Sequence, residues 1–278
     1  MNKIFYILGI LCLTTVVACE KHEITLDKEY LDLSTKAQLR LVYAMPVISN
    51  DASIVTRLKY NGQLVSDVNT SVGNFWPNSA ARYHSLPIGT NTIEMFRGNN
   101  RDQLAYSGSV TLDKGRYTAF VHHANKPPTL IKEVEQFPKM DPWKDTVTWI
   151  NFVHHIYKID GETPVEKLMI KGRRGAGTVA DPYVYIDIAS VNFGESSGWV
   201  PYRLKPALSG SESSLVFCLY YADGTPYKRF TSATSGLIDW VGTGYTLTKD
   251  RFFYFHMNGI EGDAFNNFGV RFSTFNAI

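Results

Sequence analysis

Short segments in which apolar and polar residues alternate recur along this chain, and Gly, Asn, Asp or Pro bounds each of them. Successive side chains of a strand point to opposite faces, so alternation with a period of about two is the pattern of a half-buried strand. The sequence has no helix-period segment of useful length. It therefore predicts an all-β fold of antiparallel sandwiches. The predicted strands are Gln38–Tyr43, Ile54–Tyr60, Gln63–Val65, Thr92–Phe96, Leu104–Ser107, Arg116–His122, Val147–Val153, Tyr183–Phe193, Ser214–Tyr221, Arg251–Met257 and Val270–Phe275.

Two of these runs are separated only by Asn61-Gly62. Both central residues of the commonest tight hairpin turn need positive φ, which Asn and Gly tolerate. We therefore expect a β-hairpin at this point.

The chain also contains an internal match. Val110–His122 aligns with Tyr245–Met257 at an offset of 135 residues, with five identities in thirteen positions, and Leu39–Ala44 corresponds more loosely to Ile150–His155. We predict two tandem Ig-like β-sandwich domains, at 37–137 and 146–278. The Pro-bearing segment 138–145 is the predicted linker.

The first residues resemble a bacterial lipoprotein signal peptide. Lys3 precedes an apolar run, Ile4–Val17, that is shorter than the ~20 residues that span a bilayer. Ala18 is small enough for a signal peptidase, and Cys19 offers a thiol for lipidation. We expect a signal peptide at 1–18, lipidation at Cys19 and a polar tether at 19–36, because two or more acyl chains anchor a protein stably.

Acidic residues follow the predicted lipidation site at Glu20 and Glu23. They resemble surface-export signals of Bacteroidetes lipoproteins. The expected location is the cell outer membrane, lipid-anchored and exposed at the surface, with the membrane itself as a partner.

Charge and cysteine content narrow the function further. The formal net charge is +2 with no basic stripe, which excludes nucleic acid as an expected partner. If Cys12 is removed with the signal peptide and Cys19 is lipidated, only Cys218 remains, so no internal disulfide can form. Cys218 lies in an apolar run, Leu215–Tyr220, and is predicted to be a buried, inert thiol.

Three short motifs in the first half resemble a known family. Ala37–Pro46 resembles the opening strand of the bacterial domain of unknown function 4397, Tyr83–Gly89 its middle motif and Leu112–Thr118 its closing motif. The resemblance covers residues 37–122 well and 147–257 poorly. It implies a β-sandwich, often in tandem, on exported bacterial proteins, and it implies no established activity.

Gly194–Gly198 fits the G-x-S-x-G pattern around Ser196. A hydrolase needs a helix directly after that serine, and Trp199–Tyr202 would not begin a good helix. We interpret the motif as a turn, predict no catalytic residue and expect no enzyme activity.

Metal and cofactor sites are not predicted either. His122-His123 and His154-His155 are neighbours on strands, so each pair points to opposite faces and does not readily chelate one ion. Glu261 and nearby oxygen ligands miss the EF-hand spacing. The basic, Gly-rich segment Lys171–Gly177 lacks a phosphate-binding motif, so we predict a mobile surface loop, with a weak anion or lipid-headgroup contact as the alternative.

Aromatic residues make up 13% of the chain and offer flat faces on which sugars stack. Trp149 lies inside a strand and is predicted to be in the core. Trp76, Trp143 and Trp199 lie beside turn signals and are the predicted exposed, ligand-binding residues.

The function we predict is a non-catalytic cell-envelope lipoprotein that acts as a surface binding or adhesion module. The alternatives are a glycan-binding accessory lipoprotein and a structural subunit of a surface fibre, with another surface protein as partner. Glycan binding predicts two or three exposed rings in one plane. Fibre assembly predicts an unpaired edge strand.

Overall fold

All regular structure in the described part of the chain is β. The computed structural model describes residues 36–46, 54–76, 83–133, 147–175, 177–204, 211–230, 237–239, 241–248, 251–261 and 271–276. These residues form strands and no helix, which confirms the all-β prediction. In these ranges no helix is long and apolar enough to cross a membrane.

The first half contains two sheets and a short strand pair. Sheet I has the order β4-β3-β8-β9, and sheet II has the order β11-β10-β1-β6 with β7 also paired to β1. The strands are β1 (Lys36–Tyr43), β2 (Ile54–Val55), β3 (Arg57–Tyr60), β4 (Gln63–Ser66), β5 (Thr70–Ser71), β6 (Phe75–Trp76), β7 (His84–Pro87), β8 (Gly89–Arg97), β9 (Gln103–Leu112), β10 (Gly115–Val121) and β11 (Thr129–Lys132).

The second half repeats this plan. Sheet III has the order β15-β12-β20-β21, and sheet IV has the order β14-β13-β16-β19. The strands are β12 (Val147–Tyr157), β13 (Lys167–Arg174), β14 (Val184–Asn192), β15 (Val200–Arg203), β16 (Ser211–Tyr221), β17 (Lys228–Phe230), β18 (Leu237–Asp239), β19 (Val241–Thr248), β20 (Phe252–Ile260) and β21 (Arg271–Asn276).

The predicted hairpin at Asn61-Gly62 is confirmed. The turn joins the antiparallel strands β3 and β4. Asn61 has φ 51° and Gly62 has φ 76°, the two positive values that this turn requires. A side chain with a branched Cβ would be strained at either position.

Each half has its own apolar core. The core of the first half lies between sheets I and II and includes Leu39 and Leu41 of β1. The core of the second half lies between sheets III and IV and includes Ile150 and Phe152 of β12. Because side chains alternate along a strand, the intervening residues of β1 and β12 point to the other face of their sheets. These residues form a third apolar contact, between sheets II and III.

Sheets II and III pack on each other through those other faces. The buried residues of this third cluster are Val42, Ala44, Phe75, Phe120, Val153 and Tyr254. The layers therefore follow the order I, II, III, IV, and both middle sheets are covered on both sides. This explains why β20 is an almost continuous apolar run, because a strand buried on both faces loses the alternation.

The internal repeat appears as two matching parallel strand pairs, β1 with β10 and β12 with β20. The expectation of wholly antiparallel sheets is therefore wrong, because the centre of sheet II and the centre of sheet III are each a parallel pair. Leu39 is level with Tyr117 in the first pair, and Ile150 is level with Phe253 in the second. The sequence alignment, with its offset of 135 residues, makes Tyr117 and Phe252 equivalent positions of the two repeats, whereas the strand pairing makes Tyr117 equivalent to Phe253. That alignment is wrong by one residue inside the strand, and a shift of one residue turns every side chain to the opposite face.

The extra residue falls between Leu247 and Phe253. Leu112 and Leu247 are both buried in their cores, so the 135-residue offset is correct up to that point. The Ig-like assignment and the domain boundaries stay predictions, and the proposed linker at 138–145 lies outside the described residues.

Candidate functional site

Two of the residues that sequence analysis selected lie outside the described part of the chain, namely Cys19 and Trp143. The expectation that Trp76 is exposed is wrong, because its side chain is 0% exposed. Trp76 lies in β6 and is level with Leu41 of β1, so the ring enters the first core rather than the adjacent turn.

Trp199 is partly buried and does not present a free ring. Its ring centroid lies 5.4 Å from that of Phe252 and 4.9 Å from that of Tyr254, both on β20. The indole therefore covers sheet III beside β15. The predicted set of three exposed tryptophans is not a single surface among the described residues.

The G-x-S-x-G motif is a turn held against β12. Ser196 Oγ donates to Asn151 Oδ1 at 2.6 Å, and the Gly198 N–H donates back to Ser196 Oγ at 3.0 Å. The side chain that accepts the hydrogen bond of Ser196 is thus Asn151 and not a histidine. The interpretation of the motif as a turn is confirmed.

Cys218 is buried in β16, 4% exposed, as predicted. Burial raises the pKa of its thiol above the usual value. The thiol therefore stays protonated at neutral pH and is a poor nucleophile.

Segment Lys171–Arg174, predicted as part of a mobile loop, is a strand. It belongs to β13 and pairs with β14 on one side and β16 on the other. Leu168 and Ile170 of this strand enter the second core, so Lys171 and Arg173 point to the outer surface of sheet IV.

We call this outer surface the tyrosine face. Arg173 is level with Tyr185 of β14, and Lys171 is level with Asp187. Level residues in an antiparallel pair share one face of the sheet. The tyrosine face consists of Tyr183, Tyr185, Tyr220, Lys171, Arg173 and Asp187.

Two rings of the tyrosine face reach solvent. Tyr183 is 47% exposed and Tyr185 is 48% exposed. In contrast, eight other tyrosines are buried. These are Tyr43, Tyr60, Tyr106, Tyr117, Tyr157, Tyr202, Tyr227 and Tyr254.

Cationic side chains lie directly against the tyrosine rings. The Arg173 Cζ is 4.2 Å from the ring centroid of Tyr183, and the Lys171 Nζ is 4.9 Å from that of Tyr220. These distances are within the ~6 Å range of a cation–π contact. Lys171 also forms an ion pair with Asp187 at 3.2 Å.

A tight turn positions Tyr183. A Cβ on Gly177 would lie 2.4 Å from the Cζ of Tyr183, and φ at Gly177 is 74°. The backbone N–H groups of Gly177 and Thr178 both donate to the carbonyl of Asp181. The glycines in the sequence suggest a mobile loop. In the structure, Gly177 allows a close approach between the turn and the ring of Tyr183.

Histidines form a second cluster, buried between sheets II and III. His155 Nε2 lies 2.8 Å from Thr129 Oγ1, and the His155 ring stacks on that of His122 at 4.4 Å. His122 Nδ1 lies 2.7 Å from the Tyr157 hydroxyl. His256 completes the cluster from β20.

Burial lowers the pKa of each of these imidazoles. The value falls to about 4 for His122 and to about 3 for His256, and it falls well below the usual range for His155. His154 points the opposite way from His155, as predicted, and its Nε2 lies 2.7 Å from the Val165 carbonyl oxygen. No group of three or more potential ligands in the described ranges could hold a metal ion.

Sequence reasoning missed this cluster because its members are distant along the chain. His155 and His256 lie on strands whose pairing is seen only in the parallel register of β12 with β20. In the sequence His122 and His155 each stand next to a second histidine on the opposite face, and His256 is a single histidine on an apolar strand. A search for polar residues inside strands that are buried on both faces would have selected them.

A polar cleft of about 410 Å³ lies at one end of the first half. Nearby, Asp67 forms ion pairs with Arg57 at 2.7 Å and with Arg101 at 3.1 Å. None of the described residues that line the cleft is aromatic. Its lining residues are Ile54, Thr56, Asn69, Gly98, Asn99, Arg101 and Gln103.

Comparison with known proteins shows no family for this chain. No family model and no curated protein matches the chain. The resemblance to the domain of unknown function 4397 therefore stays a prediction.

The solved structures to which the chain is similar are distant from it. A streptococcal family 41 carbohydrate-binding module, from a study of α-glucan recognition, is 10% identical over 85% of this chain and 97% of its own, with a TM-score of 0.23. A proposed cell adhesion protein from Bacteroides uniformis is 8% identical over 87% and 98%, with a TM-score of 0.24. A proposed adhesin from Bacteroides ovatus is 9% identical over 87% and 96%, with a TM-score of 0.21. At these TM-scores the similarity carries no functional argument.

Proposed function

We propose that the protein is a non-catalytic, surface-displayed binding module that holds carbohydrate on the tyrosine face. The observation that supports this proposal is the exposure of Tyr183 and Tyr185 on one face, while eight other tyrosines are buried. An exposed ring does not contribute the free energy that its burial would give, so two such rings on one face indicate a binding surface. A tyrosine ring offers an apolar plane for a sugar ring and a hydroxyl at its edge.

The arrangement of the face suits a ligand of this kind. Tyr185 stands beside Arg173 in the register of the two strands, and Tyr183 lies against the same guanidinium. Stacking planes and hydrogen-bond donors are therefore next to each other on a rigid sheet. A site on strands is preorganised, so little entropy is lost when a ligand binds.

We further propose that the module is anchored by a lipid on Cys19 and displayed at the outer membrane. The sequence Val17-Ala18-Cys19 supports the anchor, and the polar residues up to Lys36 supply a tether to the start of β1. Display at the surface would give the tyrosine face access to extracellular polysaccharide.

A glycan array with the acylated protein in detergent tests the binding proposal. We expect carbohydrate ligands that Tyr183→Ala/Tyr185→Ala weakens by about ten-fold or more. The matched control is Leu64→Ala/Leu104→Ala, which removes two exposed apolar side chains from sheet I. A protein that binds no glycan, or equal weakening in both double variants, would contradict the proposal.

A surface-fibre subunit is the second candidate. β14 is a nine-residue strand at the end of sheet IV, and β13 is its one partner among the described strands. Such an edge can accept a strand from a neighbouring molecule. Filaments in negative-stain electron micrographs that disappear in Val184→Lys would favour this function, because an added charge blocks edge pairing.

A further inference from the structure

We propose that the tyrosine face selects acidic glycans, with Arg173 binding the carboxylate of a uronic acid. This inference rests on the proposed carbohydrate function and names the class of ligand for the same site. Three independent observations support it, and they concern hydrogen bonding, charge and geometry.

The first observation is that the guanidinium of Arg173 has open donors. Among the described residues, no group accepts a hydrogen bond from Arg173, and its Cζ lies 4.2 Å from the ring centroid of Tyr183. Its neighbours are already engaged, since Lys171 pairs with Asp187 and Arg174 donates to the carbonyl of Arg203. Arg173 can therefore offer its planar fork of N–H groups to a ligand.

The second observation is the charge of the surface. Alternation along β13 points Lys167, Lys171 and Arg173 outward, away from the second core. Asp187 is the acidic residue that faces them from β14. The described part of this surface is thus basic, which favours an anionic partner and speeds its association.

The third observation is the spacing of Arg173 and Tyr185. Residues level with each other on antiparallel strands have Cβ atoms about 5 Å apart. A pyranose ring stacked on Tyr185 would thus place a substituent at its edge beside the guanidinium. The carboxylate of a uronic acid is such a substituent, and it matches the guanidinium fork with two parallel hydrogen bonds.

The turn at Gly177 makes this arrangement rigid. The ring of Tyr183 packs against the turn at Gly177 and covers one face of the Arg173 guanidinium. The edge of the guanidinium is then the open direction for a ligand. An arginine held in this way loses less side-chain entropy on binding than a free one.

The test uses pairs of oligosaccharides that differ only in their carboxylates. Oligogalacturonate, oligomannuronate and hyaluronan fragments are each compared with their carboxyl-reduced forms by titration calorimetry at low salt. We expect at least one acidic member to bind the acylated protein about ten-fold more tightly than its reduced form. Arg173→Gln should abolish that preference and keep binding to the reduced form.

Two further variants give the matched controls. Arg116→Gln removes an exposed arginine in the first half that also lies over a tyrosine, Tyr83, at 5.6 Å, and it should keep the preference. Arg173→Lys keeps the charge without the fork, so it should retain only part of the preference. Circular dichroism melting curves of all variants confirm that they are folded.

The outcomes separate this inference from the proposed function. Equal binding of acidic and reduced forms overturns the acidic preference and leaves carbohydrate binding intact. A preference that Arg173→Gln retains overturns the role of Arg173. Binding to phosphatidylglycerol vesicles without binding to any glycan overturns both.

Discussion

The Nδ1 atom of His155 lies 2.9 Å from the Nε2 atom of His256, at the centre of the contact between sheets II and III. A hydrogen bond at this distance needs one nitrogen to donate and the other to accept, so at least one ring is neutral. The surroundings favour two neutral rings, because both side chains are 0% exposed. The contact between the two halves thus contains uncharged histidines beside its apolar residues.

Acid is expected to destabilise the protein for this reason. An unfolded histidine titrates near 6.5, whereas burial lowers the pKa to about 4 for His122 and His154 and to about 3 for His256. The contribution of these histidines to the free energy of unfolding is therefore fully present above pH 6.5. It is lost as the pH falls from 6.5 toward 4, because in this range the unfolded chain takes up protons and the folded chain does not. The loss is roughly 1 kcal/mol per pH unit for each histidine. Urea unfolding at pH 7.5 and pH 5 measures it, and equal free energies would contradict the prediction.

A single substitution can assign this effect to the cluster. His256→Phe should lower the free energy of unfolding at pH 7.5 and make its fall between pH 7.5 and pH 5 shallower. The control is His123→Gln, since His123 lies at the end of the cluster and its Nε2 is 3.1 Å from the exposed carboxylate of Glu162. If both variants show the same pH dependence as the parent protein, the fall has another source.

The buried ion pair of Arg40 and Glu133 offers a second test. The Arg40 Nη2 lies 2.6 Å from the Glu133 Oε1, and the guanidinium is 4.5 Å from the centroid of Phe75 and 5.4 Å from that of Tyr254. Removing one partner leaves a buried charge unpaired, so Arg40→Met and Glu133→Leu should each cost about 3–5 kcal/mol. The double variant should recover much of that loss. Chemical denaturation of all four proteins checks this, and additive losses would show that the pair is not coupled.

Gly177 and Gly198 provide a matched pair of substitutions. Both have positive φ, but a Cβ on Gly198 would meet nothing within 4 Å. Gly198→Ala should therefore cost about 1 kcal/mol of backbone strain and leave ligand binding unchanged. Gly177→Ala should cost more and displace Tyr183, which weakens glycan binding. Equal binding by both variants would show that the turn does not position the ring.

Membrane attachment depends on Cys19 in the proposed function. Cys19→Ala should leave the protein unprocessed or in the soluble fraction, because the thioether cannot form. Fractionation of cells that express each form measures this. Normal partitioning of the variant into the membrane would exclude the lipid anchor.

The sequence predicted what depends on local periodicity and little of what depends on packing between layers. The alternating runs were enough for the all-β class, and Asn61-Gly62 was enough for its hairpin, because both signals are local. The exposure of Trp76 was wrongly predicted because Pro77 is a turn signal in the sequence, and such a signal does not show whether the residue before it is buried in a strand. The tyrosine face was missed because Arg173 and Tyr185 become neighbours only through strand pairing, and the glycines beside them suggested a loop.

The parallel pairing of β1 with β10 at the centre of sheet II also sets the order of assembly. Ala37 lies level with Gly115, and Ile150 lies level with Phe253, so each central pair joins residues separated by a long stretch of chain. Contacts between distant residues slow folding, because bringing together the two ends of a long stretch of chain costs conformational entropy before the contacts form. The strand nearest the proposed anchor therefore cannot complete its sheet until at least residue 121 is free to join it. We expect slow folding, with a period in which β1 lacks its parallel partner strand.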